Sequence, residues 1–233
     1  MYKFNKSIFA FCLVLGSVNG KGLQGFYIGA DFGYSHSNID LTLDDGRRSL
    51  IRVKTRNHLA SPNLGLSFGY DHLLQNSMIL GLEIFGDYNL GGKKEIASPK
   101  LGCTYTKIEA ERKGPGLSIL ARIGTKISQS TAIHVGIGLK NLKHSFSYQD
   151  KVPAIRFNFG KRRTSFMAQV GLQGLWGNSE NWGWRASYSY VPGKKLKKTC
   201  FPGVPTAFLG HKDPSISFKT NEHTAKAGVF YRF

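Results

Sequence analysis

Nowhere after Gly20 does this sequence hold a run of 18 apolar residues, so it has no segment able to cross a bilayer as a helix. Charged residues are sparse at 20% and hydrophobic ones reach 41%, too much burial capacity and too little charge for a disordered chain. The 28 Gly and 8 Pro follow no short period, which excludes a collagen-like or low-complexity chain. Acidic residues are scarce in a telling way: 14 Asp and Glu stand against 32 Lys and Arg, a net charge of +18. That imbalance requires an anionic partner or surrounding, among nucleic acid, phosphorylated lipid and acidic glycan. A length of 233 residues suits one all-β domain or two small domains.

Residues 1–20 read as a secretory signal peptide, with basic Lys3 and Lys6, an apolar run from Ile8 to Gly16, and small residues before a cut near Gly20. The run is too short to span a bilayer, and Phe11 before Cys12 argues against a lipoprotein anchor. Residues 21–233 then form the exported domain, which is either soluble or a β-barrel. Cys103 and Cys200 remain in an oxidising compartment, where pairing and two separate thiols both stay open. A mobility shift on reduction, absent in a Cys103→Ser variant, decides between them.

From Gln24 onward the chain alternates with period two. Phe26, Ile28, Ala30, Phe32 and Tyr34 share one face of a strand, while Tyr27, Gly29, Asp31 and Gly33 share the other. Seven more windows repeat the pattern, at residues 64–70, 80–90, 117–127, 133–139, 166–176, 182–190 and 225–233. The apolar phase has three exceptions, Gly86, Thr125 and Gly174, and none of them is charged. The opposite phase is about one-third glycine, the rest mostly polar. A soluble sandwich would expose that polar face, where glycine gains nothing and weakens the strand. A small membrane barrel inverts the arrangement, with bulky apolar residues toward lipid and glycine beside polar groups in a narrow lumen. Backbone groups in hydrocarbon must pair within the protein, so closure is the only spanning option for such strands.

The gaps between windows alternate long and short, as tight periplasmic turns and long outer loops do. The long gaps are 35–63, 91–116, 140–165 and 191–223, and the tight turns include Ser128 to Ser130 and Asn178 to Glu180. The expected fold is all-β: a closed antiparallel eight-stranded up-and-down transmembrane barrel, with loops extracellular and both termini periplasmic. Ten strands remain an alternative if residues 104–112 or 206–219 pair. Phe26, Tyr70, Trp176, Trp182 and Tyr231 are expected at one membrane boundary and Tyr34, Tyr88, Phe166 and Tyr190 at the other.

The chain closes on Lys226-Ala227-Gly228-Val229-Phe230-Tyr231-Arg232-Phe233 and opens its first strand with Gly25-Phe26-Tyr27-Ile28-Gly29-Ala30-Asp31-Phe32-Gly33-Tyr34. These segments resemble the small eight-stranded bacterial outer-membrane barrels, the group of the opacity-type proteins and the outer membrane protein A barrel domain. The resemblance covers roughly residues 24–233. It implies a location in the bacterial outer membrane and a C-terminal assembly signal at Val229, Tyr231 and Phe233, read by the barrel-assembly machinery. With the closing strand ending at Phe233, no peptidoglycan-binding domain is expected, a departure from the outer membrane protein A pattern.

Without Lys3 and Lys6 the charge falls from +18 to +16, and the four long gaps carry +2, +3, +6 and +4 of it. Lys161, Arg162 and Arg163 form one basic run, and Lys194, Lys195, Lys197 and Lys198 another. Their expected partners are outer-membrane lipid and lipopolysaccharide, or a host acidic glycan; export and the lack of a recognition motif argue against nucleic acid. Inside the barrel, Asp31, Glu83 and Asp87 are expected to pair with Arg122, Lys126, Arg185, Lys226 and Arg232, because unpaired charge in a narrow lumen is costly. Five bases against three acids would favour a small cation-repelling conductance if the lumen conducts.

The expected role is a surface antigen or adhesin, with a narrow pore as one alternative. Some small outer-membrane barrels modify lipid A, and Ser187, Ser189 and His223 are the residues a hydrolase would use here. His223 falls in the outward phase and Glu222 is the only nearby carboxylate, so no enzyme is expected. The seven histidines lack zinc-ligand spacing and no glycine-rich phosphate loop opens a helix, so neither a metal nor a cofactor is expected.

Overall fold

A computed structural model describes residues 22–44, 52–91, 93–97, 100–101, 104–111, 114–150, 156–177, 179, 181–193, 195–199 and 215–233. Residues 1–20, Cys103, Cys200, Lys194, Asn178 and Glu180 lie outside the described residues. Regular structure here is all β: β1 (Gly25–Asp44), β2 (Arg52–Leu73), β3 (Met78–Asn89), β4 (Lys93–Ala97), β5 (Lys100–Leu101), β6 (Thr104–Glu111), β7 (Gly114–Lys126), β8 (Thr131–Asp150), β9 (Arg156–Leu175), β10 (Trp182–Val191), β11 (Lys195–Thr199) and β12 (Ser215–Arg232).

Eight of these strands close a ring in the order β1, β2, β3, β7, β8, β9, β10, β12, every neighbour antiparallel. The last strand returns to the first, with Tyr27 opposite Arg232. Closure leaves no edge in the ring, so each backbone donor and acceptor there has a neighbour. The short connections lie at one end, together with the C-terminus. Ile127 N–H donates to Thr131 O at 2.9 Å, and Trp176 N–H to Trp182 O at 3.0 Å.

Around the ring the outer face carries the apolar phase. On β3 Leu80, Leu82, Ile84 and Tyr88 are exposed, as is Leu90 just past its end, and so are Leu117, Ile119 and Ile123 on β7. Ten residue steps from Leu80 to Leu90, at about 3.3 Å each and a tilt of about 40°, give a band about 25 Å tall. Aromatic groups mark its edges. Phe26 lies 4.6 Å from Tyr70, and Trp182 lies 5.2 Å from Tyr231, ring centre to ring centre, at the turn end. Tyr34, Tyr88, Phe166 and Tyr190 are exposed near the other edge.

The staves are taller than the band. β1, β8 and β9 are each 20 residues long and β2 is 22, so most of the gaps read from sequence as loops are paired strand. Outside hydrocarbon nothing selects apolar residues, yet the ladder hydrogen bonds still hold the chain extended, and period-two hydropathy fades before the strand does. Residues 104–111 form β6, which pairs with the upper part of β8 rather than entering the ring, so the barrel keeps eight staves.

Beyond the band the ring parts into two sheets. β3 and β7 continue as β4 and β6, which pair with each other and, through β6, with β8 and β9. β10 continues as β11, which pairs with β12 and so joins β1 and β2. Among the described residues no pairing joins β2 to β4, or β9 beyond Ala168 to β11. A proline stands at each parting: Pro62, whose carbonyl accepts the last β3-side bond from Leu90 N–H at 3.0 Å, and Pro192 at the end of β10. Proline supplies no N–H to continue a ladder.

Candidate functional site

The barrel interior is packed with long polar side chains, and the glycine-rich phase makes room for them. A Cβ on Gly29 would lie 3.0 Å from Arg185 Nη2 and 2.8 Å from Ser67 Oγ, and one on Gly69 would collide with the Tyr27 hydroxyl. Glycine on one stave is therefore the floor under a large residue from another. At the turn end Leu23, Ile79 and Ala132 form an apolar cap backed by Leu73 and Leu175.

Next to this cap runs a chain of alternating charges. Arg185 Nε donates to Asp31 Oδ1 at 2.6 Å and its Nη1 to Glu83 Oε2 at 3.2 Å. Arg122 Nη1 donates to Glu83 at 3.1 Å, while its Nη2 reaches both oxygens of Asp71. Arg232 Nη2 and Gln173 Nε2 complete Asp71, at 2.9 and 3.1 Å. Tyr27 Oη donates to Glu83, and Arg232 Nη1 donates to the Leu23 carbonyl. Satisfying nearly every oxygen of a buried carboxylate offsets its desolvation cost.

A second knot lies further from the turns. Lys140 Nζ donates to Asp87 Oδ2 at 2.7 Å and to Glu222 Oε1 at 3.1 Å, and the Thr224 hydroxyl donates to the same Glu222 oxygen. Phe85, Leu120, Leu142, Met167 and Val191 form an apolar cluster in the same interior. Lys226 Nζ lies 4.0 Å from the centre of the Phe85 ring, a cation on its π face. Asp31, Glu83, Arg122, His134, Arg185 and Lys226 help line a cavity of about 10 Å³, room for about one water.

Asp31, Glu83, Asp87, Arg122, Arg185, Lys226 and Arg232 are all buried inside. Lys126 is not among them: it ends β7 at the turn-end mouth, is half-buried, and makes no ion pair among the described residues. Three network members escaped the sequence windows. Asp71, Lys140 and Glu222 continue the inward phase one to three residues past the last apolar position counted on their strands. Extending the alternation would have found them. With them the buried acids are Asp31, Asp71, Glu83, Asp87 and Glu222, matching in number Arg122, Lys140, Arg185, Lys226 and Arg232. The basic excess expected of the lumen does not exist.

Ser189 is buried on the inner face, whereas the His223 Nδ1 and Tyr188 Oη are 2.6 Å apart on the outer face. The wall separates the two residues that a hydrolase would have to join.

Beyond the apolar band the staves carry the positive charge. Register sets Lys143 of β8 opposite Arg162 of β9, and Lys195 of β11 opposite Lys219 of β12. Arg162, Lys195 and Lys219 are exposed and Arg163 is half-buried, while Lys161, Lys197 and Lys198 are placed on β9 and β11. Asp40 of β1 stands next to Lys219 in register and pairs with Arg56 Nε at 3.0 Å.

A closed ring with a bulky apolar exterior and charge sealed inside suits hydrocarbon and not water. The fold is that of a small transmembrane β-barrel. No protein-family model and no curated protein sequence matches the chain. Among solved structures the barrel is similar to Ail, the attachment invasion locus protein of Yersinia pestis in complex with the heparin analogue sucrose octasulfate. That pair is 14% identical with a TM-score of 0.40, over 90% of this chain and 99% of that one. It is similar also to Neisserial surface protein A, at 16% identity and a TM-score of 0.42 over 90% of this chain and 97% of that one. The outer membrane protein OprG from Pseudomonas aeruginosa gives 16% identity and a TM-score of 0.49 over 92% and 98%. The ring closure and the band define the fold without them.

Proposed function

We propose that the barrel is a surface protein of the bacterial outer membrane whose basic outer end holds the phosphates and acidic sugars of lipopolysaccharide or of a facing host surface. In this reading residues 1–20 are removed on export, the short turns and both mature termini are periplasmic, and the tall end faces outward. Val229, Tyr231 and Phe233, at the turn end of β12, serve as the signal for the assembly machinery. The charged lumen is a plug that makes the barrel a rigid anchor rather than a pore. The outward disposition of His223 favours a non-enzymatic role.

The observation that carries the reading is the pairing of like charges on neighbouring staves, Lys143 with Arg162 and Lys195 with Lys219. Opposed like charges destabilise a sheet by up to about 1 kcal/mol per pair, a cost that a bridging anion reverses. Arg162 lies four residues beyond Phe166, which is exposed at the edge of the apolar band, and so stands about 10 Å outside the band. That is the level of headgroups and sugars.

The test is binding of the folded protein to lipopolysaccharide, to dephosphorylated lipopolysaccharide and to heparin across a salt series. Affinity is expected to fall as salt rises, to drop on dephosphorylation, and to fall at least tenfold in Arg162→Glu/Lys195→Glu, with thermal unfolding no lower than the parent's because each reversal turns a repulsive cross-strand pair into an attractive one. Binding that ignores both salt and the charge reversals contradicts the reading.

A further inference from the structure

Among the described residues, the two basic runs that are far apart in sequence border one opening, where β9 beyond Ala168 and β11 have no strand between them. The β9–β10 ladder ends with Tyr190 opposite Ala168; on β12 the register slips by one residue between β10 and β11, from Val191 opposite Glu222 to Lys195 opposite Lys219, which sets Lys195 level with Thr164. Here β9 and β11 are sheet edges among the described residues.

The direction of their peptide groups follows from the ladder. Leu175 N–H donates to Ser130 and Trp176 N–H to Trp182, so odd residues of β9 face β8 and even residues face the β10 side. The β8–β9 register runs unbroken from Thr131 opposite Gly174 to Gln149 opposite Arg156. Gly160, Arg162 and Thr164 therefore turn N–H and C=O into the opening. On β12, Arg232 N–H donates to Asn181 and Phe233 N–H to Phe26, so odd residues face β1. Lys219 faces β1, and its opposite residue Lys195 then points away from β12, into the opening, as does Lys197.

We propose that this opening receives an extended acidic polypeptide, which adds as a strand between β9 and β11. Edge strands with free donors and acceptors are templates for pairing, and strand addition draws affinity from main-chain bonds and specificity from side chains. The occupant's charge follows from the borders. Basic residues on both edges keep them from closing on each other and from pairing with a second copy. The same residues complement a strand that alternates Asp or Glu with other side chains. β11 has five residues, so the added strand spans about 17 Å there.

The inference rests on the reading of the tall end as the outward, anion-binding end, and the experiment separates the two. The folded protein is titrated with a peptide of alternating Glu and Val, with the same peptide N-methylated along its backbone, and with heparin, while backbone amide exchange is followed. The free protein is expected to exchange rapidly at Gly160, Arg162, Thr164, Lys195 and Lys197. The unmodified peptide should slow exchange there and bind at least tenfold tighter than the N-methylated one. Thr164→Pro removes a donor that faces the opening and leaves the β8 ladder intact; it should weaken peptide binding and spare lipopolysaccharide binding. Equal binding of the two peptides, heparin displacing the peptide with no amide protected, or full protection of these amides in the free protein overturns the inference. Loss of salt-sensitive lipopolysaccharide binding in the unaltered protein refutes the underlying reading instead.

Discussion

Arg122 and Asp71, 51 residues apart in sequence, meet inside the barrel as a forked pair, with Nη2 2.7 Å and 2.8 Å from the two carboxylate oxygens. Register explains the meeting: Arg122 on β7 is opposite Gly81 of β3, which is opposite Asp71 of β2, so a glycine lets the two side chains touch across a stave.

Breaking this pair leaves five buried carboxylates against four cations, although Asp71 keeps Arg232 and Glu83 keeps Arg185. Arg122→Met is expected to destabilise the barrel by about 3–5 kcal/mol, read from urea unfolding in micelles. Adding Glu83→Gln leaves Asp31 with Arg185 and Asp71 with Arg232, and part of the loss should return. A double variant no more stable than the single one would show that charge balance does not hold the lumen.

Two glycines on the inner face of β2 should behave differently. Gly69→Ala forces a methyl against the Tyr27 hydroxyl, whereas at Gly65 the nearest heavy atom is 3.4 Å away. Overpacking at Gly69 is expected to cost about 1–3 kcal/mol, and Gly65→Ala should fold nearly as the parent does. Thermal unfolding of the two variants compares them directly.

Much of this barrel was legible because lipid on one side and a crowded lumen on the other both act at period two. Tyr27 and Gly69 could thus be put on the inner phase, and Leu82 on the outer, before any coordinates. The ends of the staves were not legible. Where the band stops, apolar alternation stops, and Asp71, Lys140 and Glu222 fell outside windows defined by apolar residues. Lys126 keeps the inward phase but ends β7 at a mouth, half-buried, with no ion pair among the described residues. The partings at Pro62 and Pro192 needed knowledge of which staves adjoin, information that no local pattern holds.

The lumen predicts silence in electrical recordings. Equal numbers of buried acids and bases, two ion-pair knots and an apolar cluster crowd the lumen among the described residues. Purified protein in planar bilayers should give no large, steady conductance steps. Such steps, persisting with ion selectivity, would contradict the plug.

Asp40 is the acid placed beside Lys219 in the outer cationic row, and it pairs with the exposed Arg56. An exposed pair contributes at most about 1 kcal/mol, so Asp40→Asn should change stability little. It should raise heparin affinity at low salt by freeing Arg56 and removing a repulsive charge, with the gain vanishing at high salt. Unchanged affinity would detach this row from anion binding.

Which face of each stave meets lipid decides the whole arrangement, and spin-label accessibility along β3 measures that directly. In a background with the cysteines replaced by serine, single labels from Leu80 to Leu90 are placed in liposomes and relaxed by oxygen or by a water-soluble nickel chelate. Oxygen accessibility is predicted to peak at Leu82, Ile84 and Tyr88 and to drop at Glu83, Phe85 and Asp87, with the nickel chelate excluded from the peaks. Labels at Leu82 and Ile84 that are open to the nickel chelate, or shielded from both reagents while Glu83 and Asp87 relax freely, would contradict it.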